Sequence, residues 1–180
     1  PDFIAFDTET TGLSVETDQV IEVALVRFRN GKPAERWSSL VKPDKDVGLK
    51  TLRLTGISLA ELQKSQPIES ICSAIEKFRT ELPLVGHNSG FDISFLSKSI
   101  PHFPGVPVYD TLELARIVLP GFKTYKLSDL ARELGIVLKD AHRACDDAEA
   151  SGVLFRLIQE RLIAMPTDLR KQVMQIMGEQ

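Results

Sequence analysis

The chain has 180 residues, and its composition excludes several classes of protein. Hydrophobic residues make up 43% and charged residues 26%, which are ordinary values for a globular domain. No apolar run approaches the roughly 20 residues of a membrane span, the start lacks the pattern of a signal peptide, and two cysteines cannot form a disulfide framework. We therefore expect one cytoplasmic domain with no membrane partner. The formal charge of −3 alone argues mildly against nucleic-acid binding, because nucleic-acid-binding domains are usually basic.

The first 42 residues carry strand patterns. A short apolar run at 3–6 predicts a buried strand that ends at Asp7. Alternating side chains at 19–29 predict a second strand, Asn30-Gly31 predicts a tight hairpin turn, and residues 34–42 predict a third strand. These segments together predict an antiparallel meander.

After Pro43 the pattern changes to helices that alternate with short strands. Strands are predicted at 84–86 and 106–109, and helices at 49–55, 58–64, 67–81, 89–99, 110–118, 126–134, 144–163 and 167–177. Ser58 and Glu61 have the spacing of a capping box at a helix start, and Gly135 is a typical residue for a helix end. A meander followed by alternating helices and strands predicts a mixed α/β domain.

Asp7 and Glu9 are the first candidate functional residues. Side chains at positions i and i+2 of a strand point to the same face, so both carboxylates project from the end of the first strand. Two acids this close disfavour ionisation of both, and a hard cation such as Mg²⁺ or Mn²⁺ removes that conflict. A surface turn with two solvated acids is the alternative. The apolar run at 3–6 and the Thr10-Thr11-Gly12 after the two acids make a metal site as well supported as the surface turn.

Two later motifs add further acids. Asp92 lies early in a predicted helix and shares a face with Phe95 and Leu96. The alternative for Asp92 is an acid at a helix N-terminus that interacts with the macrodipole. In the helix predicted at 144–163, Asp147 borders the apolar stripe of the helical wheel and faces the core, whereas Asp146 points away, near positions 149, 150 and 153, and faces water.

His142 immediately precedes that helix. A neutral imidazole beside a metal site is a plausible general base, and a surface or capping histidine is the alternative. Four acids and one histidine on three separate elements provide the metal ligands and the general base that a two-metal phosphodiester hydrolase needs. A serine hydrolase is not supported, because the chain has no Gly-x-Ser-x-Gly motif.

Three ordered motifs resemble those of the DEDDh group of DnaQ-like 3′→5′ exonucleases, over residues 3–163. The motifs are FDTETTGL at 6–13, HNSGFD at 87–92 and HRACDDA at 142–148. The resemblance implies an α/β, RNase H-like fold, with a mixed five-stranded sheet flanked by helices, in an exonuclease domain at 1–165. Residues 166–180 are then expected to form a C-terminal helix that is peripheral or begins a linker.

The resemblance also implies a role for each site residue. The implied ligands of two Mg²⁺ or Mn²⁺ ions are Asp7, Glu9, Asp92 and Asp147. The implied catalytic set adds His142, which would deprotonate the attacking water. The implied substrate contacts are Thr10, Thr11, Gly12, Leu13, Leu54, Thr55, Asn88 and Phe91. For Leu54 and Phe91, ordinary core packing is the alternative.

The activity implied by the resemblance is hydrolysis at the 3′ end of DNA with release of nucleoside 5′-monophosphates, in proofreading, replication or repair. The partner would be a single-stranded or frayed 3′ end. Short RNA is the nearest alternative, since contact with the 2′-OH depends on only one or two side chains. A nucleic-acid-binding domain without turnover is a weaker alternative, because all five catalytic positions hold the expected residue types.

Two features favour a domain cut from a larger polypeptide. Many DnaQ-like relatives carry histidine where this chain has Thr55, and Leu54-Thr55-Gly56-Ile57 is more similar to PolC-type polymerases and to exonuclease domains fused to DinG-type helicases. The chain also starts at Pro1 instead of Met. We therefore expect a part of a polymerase or helicase polypeptide or complex.

The net charge is distributed unevenly. Residues 26–53 contain eight basic and three acidic side chains, so this segment carries 8 − 3 = +5 and the rest carries −8. The hairpin and the loop after it are therefore candidates to meet a phosphate backbone. The alternative is an edge strand whose charges protect it from pairing with other chains.

Overall fold

The computed structural model describes residues 2–178, so Pro1 and the last two residues of the predicted segment 166–180 lie outside the described residues. The strands are β1 (Phe3–Thr10), β2 (Val20–Arg29), β3 (Lys32–Leu40), β4 (Leu84–Gly86) and β5 (Val108–Asp110). The helices are α1 (Leu49–Thr55), α2 (Leu59–Lys64), α3 (Cys72–Arg79), α4 (Ser89–Leu96), α5 (Thr111–Val118), α6 (Leu127–Leu134), α7 (Ala144–Ala164) and α8 (Thr167–Gly178).

The five strands form one mixed sheet in the order β3-β2-β1-β4-β5. β1, β2 and β3 are antiparallel, whereas β4 is parallel to β1 and to β5. Asn30 and Gly31 both have positive φ, of 51° and 74°, which is the geometry of a two-residue hairpin turn that matches strand twist. The predicted meander and the predicted five-stranded mixed sheet are confirmed.

Helices cover both faces of the sheet, so β1 is buried on both sides. Successive side chains of a strand point to opposite faces. Phe3 and Ala5 pack in the core formed with α5, α6 and α7, whereas Ile4 and Phe6 pack in the core formed with α3 and α4. This double burial explains the continuous apolar run at 3–6, which is typical of a central strand.

Several predicted boundaries differ from the structure; for example, the helix predicted at 89–99 ends at Leu96, and the strand predicted at 106–109 is Val108–Asp110. β1 does not end at Asp7 but continues to Thr10, because β2 pairs with it along this whole length. The single helix predicted at 67–81 is divided into a 3₁₀ turn at Ile68–Ser70 and α3. The residue between them, Ile71, has φ −106° and ψ −8° and turns its side chain into the core. The predicted capping box at the start of α2 and the left-handed Gly135 after α6 are both present.

On the side of α7 opposite the predicted apolar stripe, Asp146, Glu149 and Val153 are partly exposed, so Asp146 is less open to water than expected. Ala150 and Gly152 are buried. The reason is that α7 lies across β1, β2 and β3, while α5 and α6 contact it as well. A helix packed on several sides needs small residues, and α7 supplies them.

Replacing Gly152 with alanine is expected to destabilise the domain by about 1–3 kcal/mol, through overpacking. A Cβ atom at this position would lie 2.3 Å from Cε2 of Phe28, whose buried ring is stacked on Phe3 with centroids 4.7 Å apart. The melting temperature should fall by roughly 2–4 °C per kcal/mol. Gly90→Ala in α4 is the matched control, because its added methyl group meets no atom within 4 Å. Equal melting temperatures for the two variants would contradict the prediction.

The C-terminal helix α8 contacts α5, and its Val173 is buried in the same core as α7. This part of the segment 166–180 therefore packs on the domain, while the division of the chain at residue 165 stays a prediction. Within residues 2–178, the helices are too short or too polar to cross a membrane.

Candidate active site

Four carboxylates converge at one end of the sheet, and we call Asp7, Glu9, Asp92 and Asp147 the carboxylate cluster. Asp7 and Glu9 come from β1, Asp92 from α4 and Asp147 from α7. Glu9, Asp147 and His142 place one ligand atom each within 4.8 Å of one another. Asp92, Asp147 and Glu9 each raise the pKa of Asp7 through charge repulsion. The structure therefore brings all five predicted catalytic residues together.

Asp92 reaches the cluster because β4 is short. β4 pairs with β1 only at Ile4 and Ala5, which leaves the next part of that edge of β1 without a strand partner. The Asp92 carboxylate fills this place: its Oδ1 accepts hydrogen bonds from the backbone N of Thr8 at 2.9 Å and from Thr8 Oγ1 at 2.6 Å. Thr8 thus fixes one oxygen of Asp92 and leaves Oδ2 for other partners.

Asp110 holds the loop that leads into α4. Its Oδ1 accepts from the backbone N of Asn88 at 3.0 Å and of Leu112 at 2.8 Å, and its Oδ2 accepts from the backbone N of Ser89 at 2.7 Å. One carboxylate therefore caps α5 and orients the start of the helix that carries Asp92. The sequence interpretation missed Asp110, because it placed this residue inside the helix predicted at 110–118, although an aspartate at a helix start is typical of an N-cap.

Glu22 fixes the start of α7 from β2. It is 2% exposed, and its carboxylate accepts from Arg143 Nη2 at 2.9 Å and from the backbone N of Ala144 at 3.1 Å. The backbone N of His142, which has φ 66°, donates to Asp147 Oδ2 at 3.0 Å. The sequence interpretation gave Glu22 no role, although an acid within a predicted apolar strand was a signal for one.

Burial raises the pKa of every carboxyl group in the carboxylate cluster, and repulsion from nearby acids adds to the rise. Desolvation is the largest cause in each case. The pKa of Glu9 rises from 4.5 to about 8, with repulsion from Asp147 as the next cause. The pKa of Asp92 rises to about 7, although the hydrogen bonds from Thr8 oppose the rise. Because all four buried carboxyl groups resist ionisation, a divalent cation bound among them would stabilise their charged forms. The cluster therefore fits a site for such a cation.

Replacing Thr8 with valine is expected to weaken metal binding by about tenfold. Loss of a hydrogen-bond partner of a metal-binding side chain typically lowers metal affinity by about 10–100-fold. Valine keeps the shape but removes the hydroxyl that donates to Asp92 Oδ1. Thr8→Ser is the matched control, since serine keeps the donor. Calorimetric titration of each variant with Mn²⁺ measures the effect, and equal affinities for valine and serine would show that the hydroxyl does not orient Asp92.

The predicted substrate contacts Thr10, Thr11, Gly12 and Leu13 run from the last residue of β1 into the following loop, which Asp18 organises. Asp18 accepts hydrogen bonds from Thr11 Oγ1 at 2.9 Å and Lys45 Nζ at 2.9 Å, and these bonds help to lower its pKa to about 2. A Cβ atom at Gly12 would lie 2.4 Å from Asp18 Oδ2, so the loop has no room for a side chain there. The sequence interpretation did not identify Asp18.

Two apolar side chains at this place are exposed to solvent, Leu13 in the loop and Leu54 on α1. Leu13 is 86% exposed and Leu54 is 51% exposed, so the core-packing alternative for Leu54 is wrong. Thr51 Oγ1 on α1 donates to the carbonyl of Thr11 at 3.1 Å and ties the helix to the loop. Thr55 is buried and donates to the carbonyl of Thr51 at 3.0 Å. It supports α1 in this structure, and its contact with substrate stays a prediction.

The remaining predicted contacts differ in exposure. Asn88 is exposed, whereas Phe91 is half-buried and packs against Phe95 with ring centroids 4.9 Å apart. This packing supports the core alternative for Phe91 in part. His87, in the same motif, lies between Thr111 Oγ1 at 2.9 Å and the carbonyl of Tyr125 at 2.8 Å.

Comparison with known proteins places the chain among exonucleases. The family model RNase_T, described as an exonuclease, matches residues 4–155. The 3′-5′ exonuclease DinG of Bacillus subtilis is 38% identical over 176 residues, which cover 95% of this chain and 19% of that protein. A PolC-type DNA polymerase III of Oceanobacillus iheyensis is 34% identical over 181 residues, which cover 98% of this chain and 13% of that protein. The chain thus spans less than a fifth of either relative.

Solved structures share the fold. Exonuclease X, in complex with 5′ overhanging duplex DNA, superposes with a TM-score of 0.74 at 24% identity, covering 95% of this chain and 98% of that chain. Exonuclease I of E. coli, in complex with a dA16 oligonucleotide, superposes with a TM-score of 0.77 at 19% identity, covering 95% and 42%. Since the family match spans most of the sequence, the chain belongs to this exonuclease family, as the resemblance to DnaQ-like exonucleases implied.

Proposed function

We propose that the chain is a metal-dependent 3′→5′ exonuclease domain that releases nucleoside 5′-monophosphates from the 3′ end of DNA, in proofreading, replication or repair. The observation that carries the proposal is the carboxylate cluster with His142 at its edge. Single-stranded or frayed DNA ends are the proposed substrate. We further propose that the domain works within a longer polymerase or helicase polypeptide or complex. The cytoplasmic location expected from the sequence stays a prediction.

The residues that would hold two divalent cations are Asp7, Glu9, Asp92 and Asp147, and their hard oxygen atoms suit Mg²⁺ or Mn²⁺. When bound, such ions supply stabilisation of the charge on the attacking and leaving oxygens of the phosphodiester.

The chain's own groups would supply proton transfer and substrate contact. The His142 imidazole lies at the exposed edge of the cluster and would accept the proton of the attacking water. The hydrogen bond from its backbone N to Asp147 keeps it there. Leu13 and Leu54 would offer apolar surface to the terminal base, in the sequence-tolerant way that single-strand binding uses.

A substrate panel tests this proposal. Equal concentrations of 5′-labelled single-stranded DNA, mismatched duplex DNA and RNA of the same sequence are incubated with Mg²⁺, Mn²⁺ or a chelator. We expect a ladder that shortens from the 3′ end on DNA, slower cleavage of RNA, and no cleavage with chelator. Faster cleavage of RNA would favour the exoribonuclease alternative, whereas binding without cleavage would favour the non-catalytic alternative.

A further inference from the structure

A cleft of ≈ 630 Å³ leads away from the carboxylate cluster. It begins at His142 and Asp147 and continues past Asn88 to the outer side of α5 and the start of α6. The lining also includes His87, Leu112, Arg116, Tyr125, Lys126, Leu127, Ser128 and Ala141. We call it the α5–α6 cleft. Because two predicted catalytic residues, His142 and Asp147, line it, the cleft opens onto the carboxylate cluster.

The charge of the cleft complements a phosphate backbone. Arg116 and Lys126 are both exposed, and among the described residues neither side chain forms an ion pair. Asp147 is the one carboxylate in the described lining, and it belongs to the carboxylate cluster. The apolar side chains of Leu112 and Leu127 also line the cleft, and sugars and bases could pack on them.

The basic segment 26–53 is a weaker candidate for the same role. Arg27 and Arg29 both pair with Glu35, at 3.5 and 2.9 Å. Arg36 pairs with Glu149 and Lys45 with Asp18. Half of the eight basic residues of that segment therefore already have a carboxylate partner, which favours the alternative of a charge-protected edge strand.

Different elements lie on the two sides of the carboxylate cluster. The loop Thr10–Leu13 and α1 lie together on one side and do not line the α5–α6 cleft. In the proposed function that loop holds the terminal nucleotide. The strand on the other side of the scissile phosphate then has to leave past His142.

We propose that the α5–α6 cleft binds the substrate strand on the 5′ side of the scissile bond, and that Arg116 and Lys126 contact its phosphates. This inference rests on the proposed function, because it takes the reacting 3′ end to lie in the carboxylate cluster. Phosphate contacts position a strand without reading its sequence. The two side chains therefore set affinity for a strand and do not take part in the chemical step.

Two substrates separate these roles. The p-nitrophenyl ester of thymidine 5′-monophosphate has nitrophenol in place of the upstream strand, so it reports the catalytic centre alone. A single-stranded DNA oligonucleotide of twelve residues fills the cleft as well. The double variant R116Q/K126Q is compared with the wild type and with K77Q, which removes one charge from the exposed side of α3.

We expect R116Q/K126Q to hydrolyse the ester at the wild-type rate, whereas KM for the oligonucleotide rises about tenfold at low salt. The slope of log KM against log salt should fall by about 1.4, because each phosphate contact to a single strand contributes about 0.7. K77Q should match the wild type on both substrates.

Three outcomes would overturn the inference. An oligonucleotide KM unchanged from K77Q would show that the strand does not use the cleft. An equal loss on both substrates would show that the side chains support the catalytic centre itself. An unchanged salt slope with a raised KM would show that they do not contact phosphates. A wild-type enzyme that fails to hydrolyse the ester would instead contradict the proposed function.

Discussion

Replacing Asp7 with asparagine is expected to lower exonuclease turnover by at least about 10³-fold and to raise the melting temperature of the metal-free protein. Turnover should fall because a divalent ion supplies several kcal/mol of transition-state stabilisation, and each 1.36 kcal/mol is about tenfold in rate. Stability should rise because Asp7 resists ionisation more than an exposed acid does. Its pKa is raised by burial first, and then by repulsion from Asp92 and Asp147.

The matched control is Asp146→Asn, which removes an acid from the first turn of α7 outside the carboxylate cluster. Turnover is measured on 5′-labelled single-stranded DNA, and melting temperatures are measured with chelator and with Mn²⁺. For Asp7→Asn, Mn²⁺ should stabilise far less than it stabilises the wild type or the control. If Asp7→Asn kept wild-type turnover, or if it melted at a lower temperature than the wild type in chelator, the assignment of Asp7 would be contradicted.

Residues whose position follows from a local pattern could be predicted from the sequence. Asp7 and Glu9 share a strand face because strand side chains alternate, and the structure places both at the cluster. The choice of Asp147 over Asp146 followed from the helical period, and Asp147 is the one within 4.8 Å of Glu9 and His142. The hairpin turn at Asn30 followed from its residue types alone.

Contacts between distant segments could not be predicted in this way. Thr8 bonds Asp92 across 84 positions, and Arg143 bonds Glu22 across 121. The residues around Thr8 and Glu22 show no local pattern that identifies Asp92 or Arg143 as a hydrogen-bond partner. These pairings depend on where β4 ends and on how α7 crosses the sheet. The same limit explains the charge of the hairpin: Arg36 counts as positive in the sequence, but its partner Glu149 lies 113 positions away.

The stability of the metal-free domain is expected to fall as pH rises from about 5 to 8. In the folded state Glu9 and Asp92 release their protons only around pH 8 and pH 7, because their pKa values are about 8 and about 7, whereas in the unfolded chain both groups are largely deprotonated by pH 5. The unfolded state then binds fewer protons, so the free energy of unfolding decreases with pH. One proton per molecule corresponds to about 1.4 kcal/mol per pH unit, or roughly 3–6 °C of melting temperature for a chain of this size. The low pKa of Asp18, about 2, acts only in more acidic solution.

Divalent ions should reverse this trend, because metal ligands must be deprotonated to bind and binding to the folded state stabilises it. The rise in melting temperature on adding Mn²⁺ should therefore be small at pH 5 and largest at pH 8. Glu9→Gln is the informative variant: without the Glu9 carboxyl group, the metal-free melting temperature should depend less on pH, and the effect of Mn²⁺ should shrink. If the metal-free wild type were equally stable at pH 5 and pH 8, the carboxylate cluster would not carry the buried, mutually repelling charges that make it fit a divalent cation.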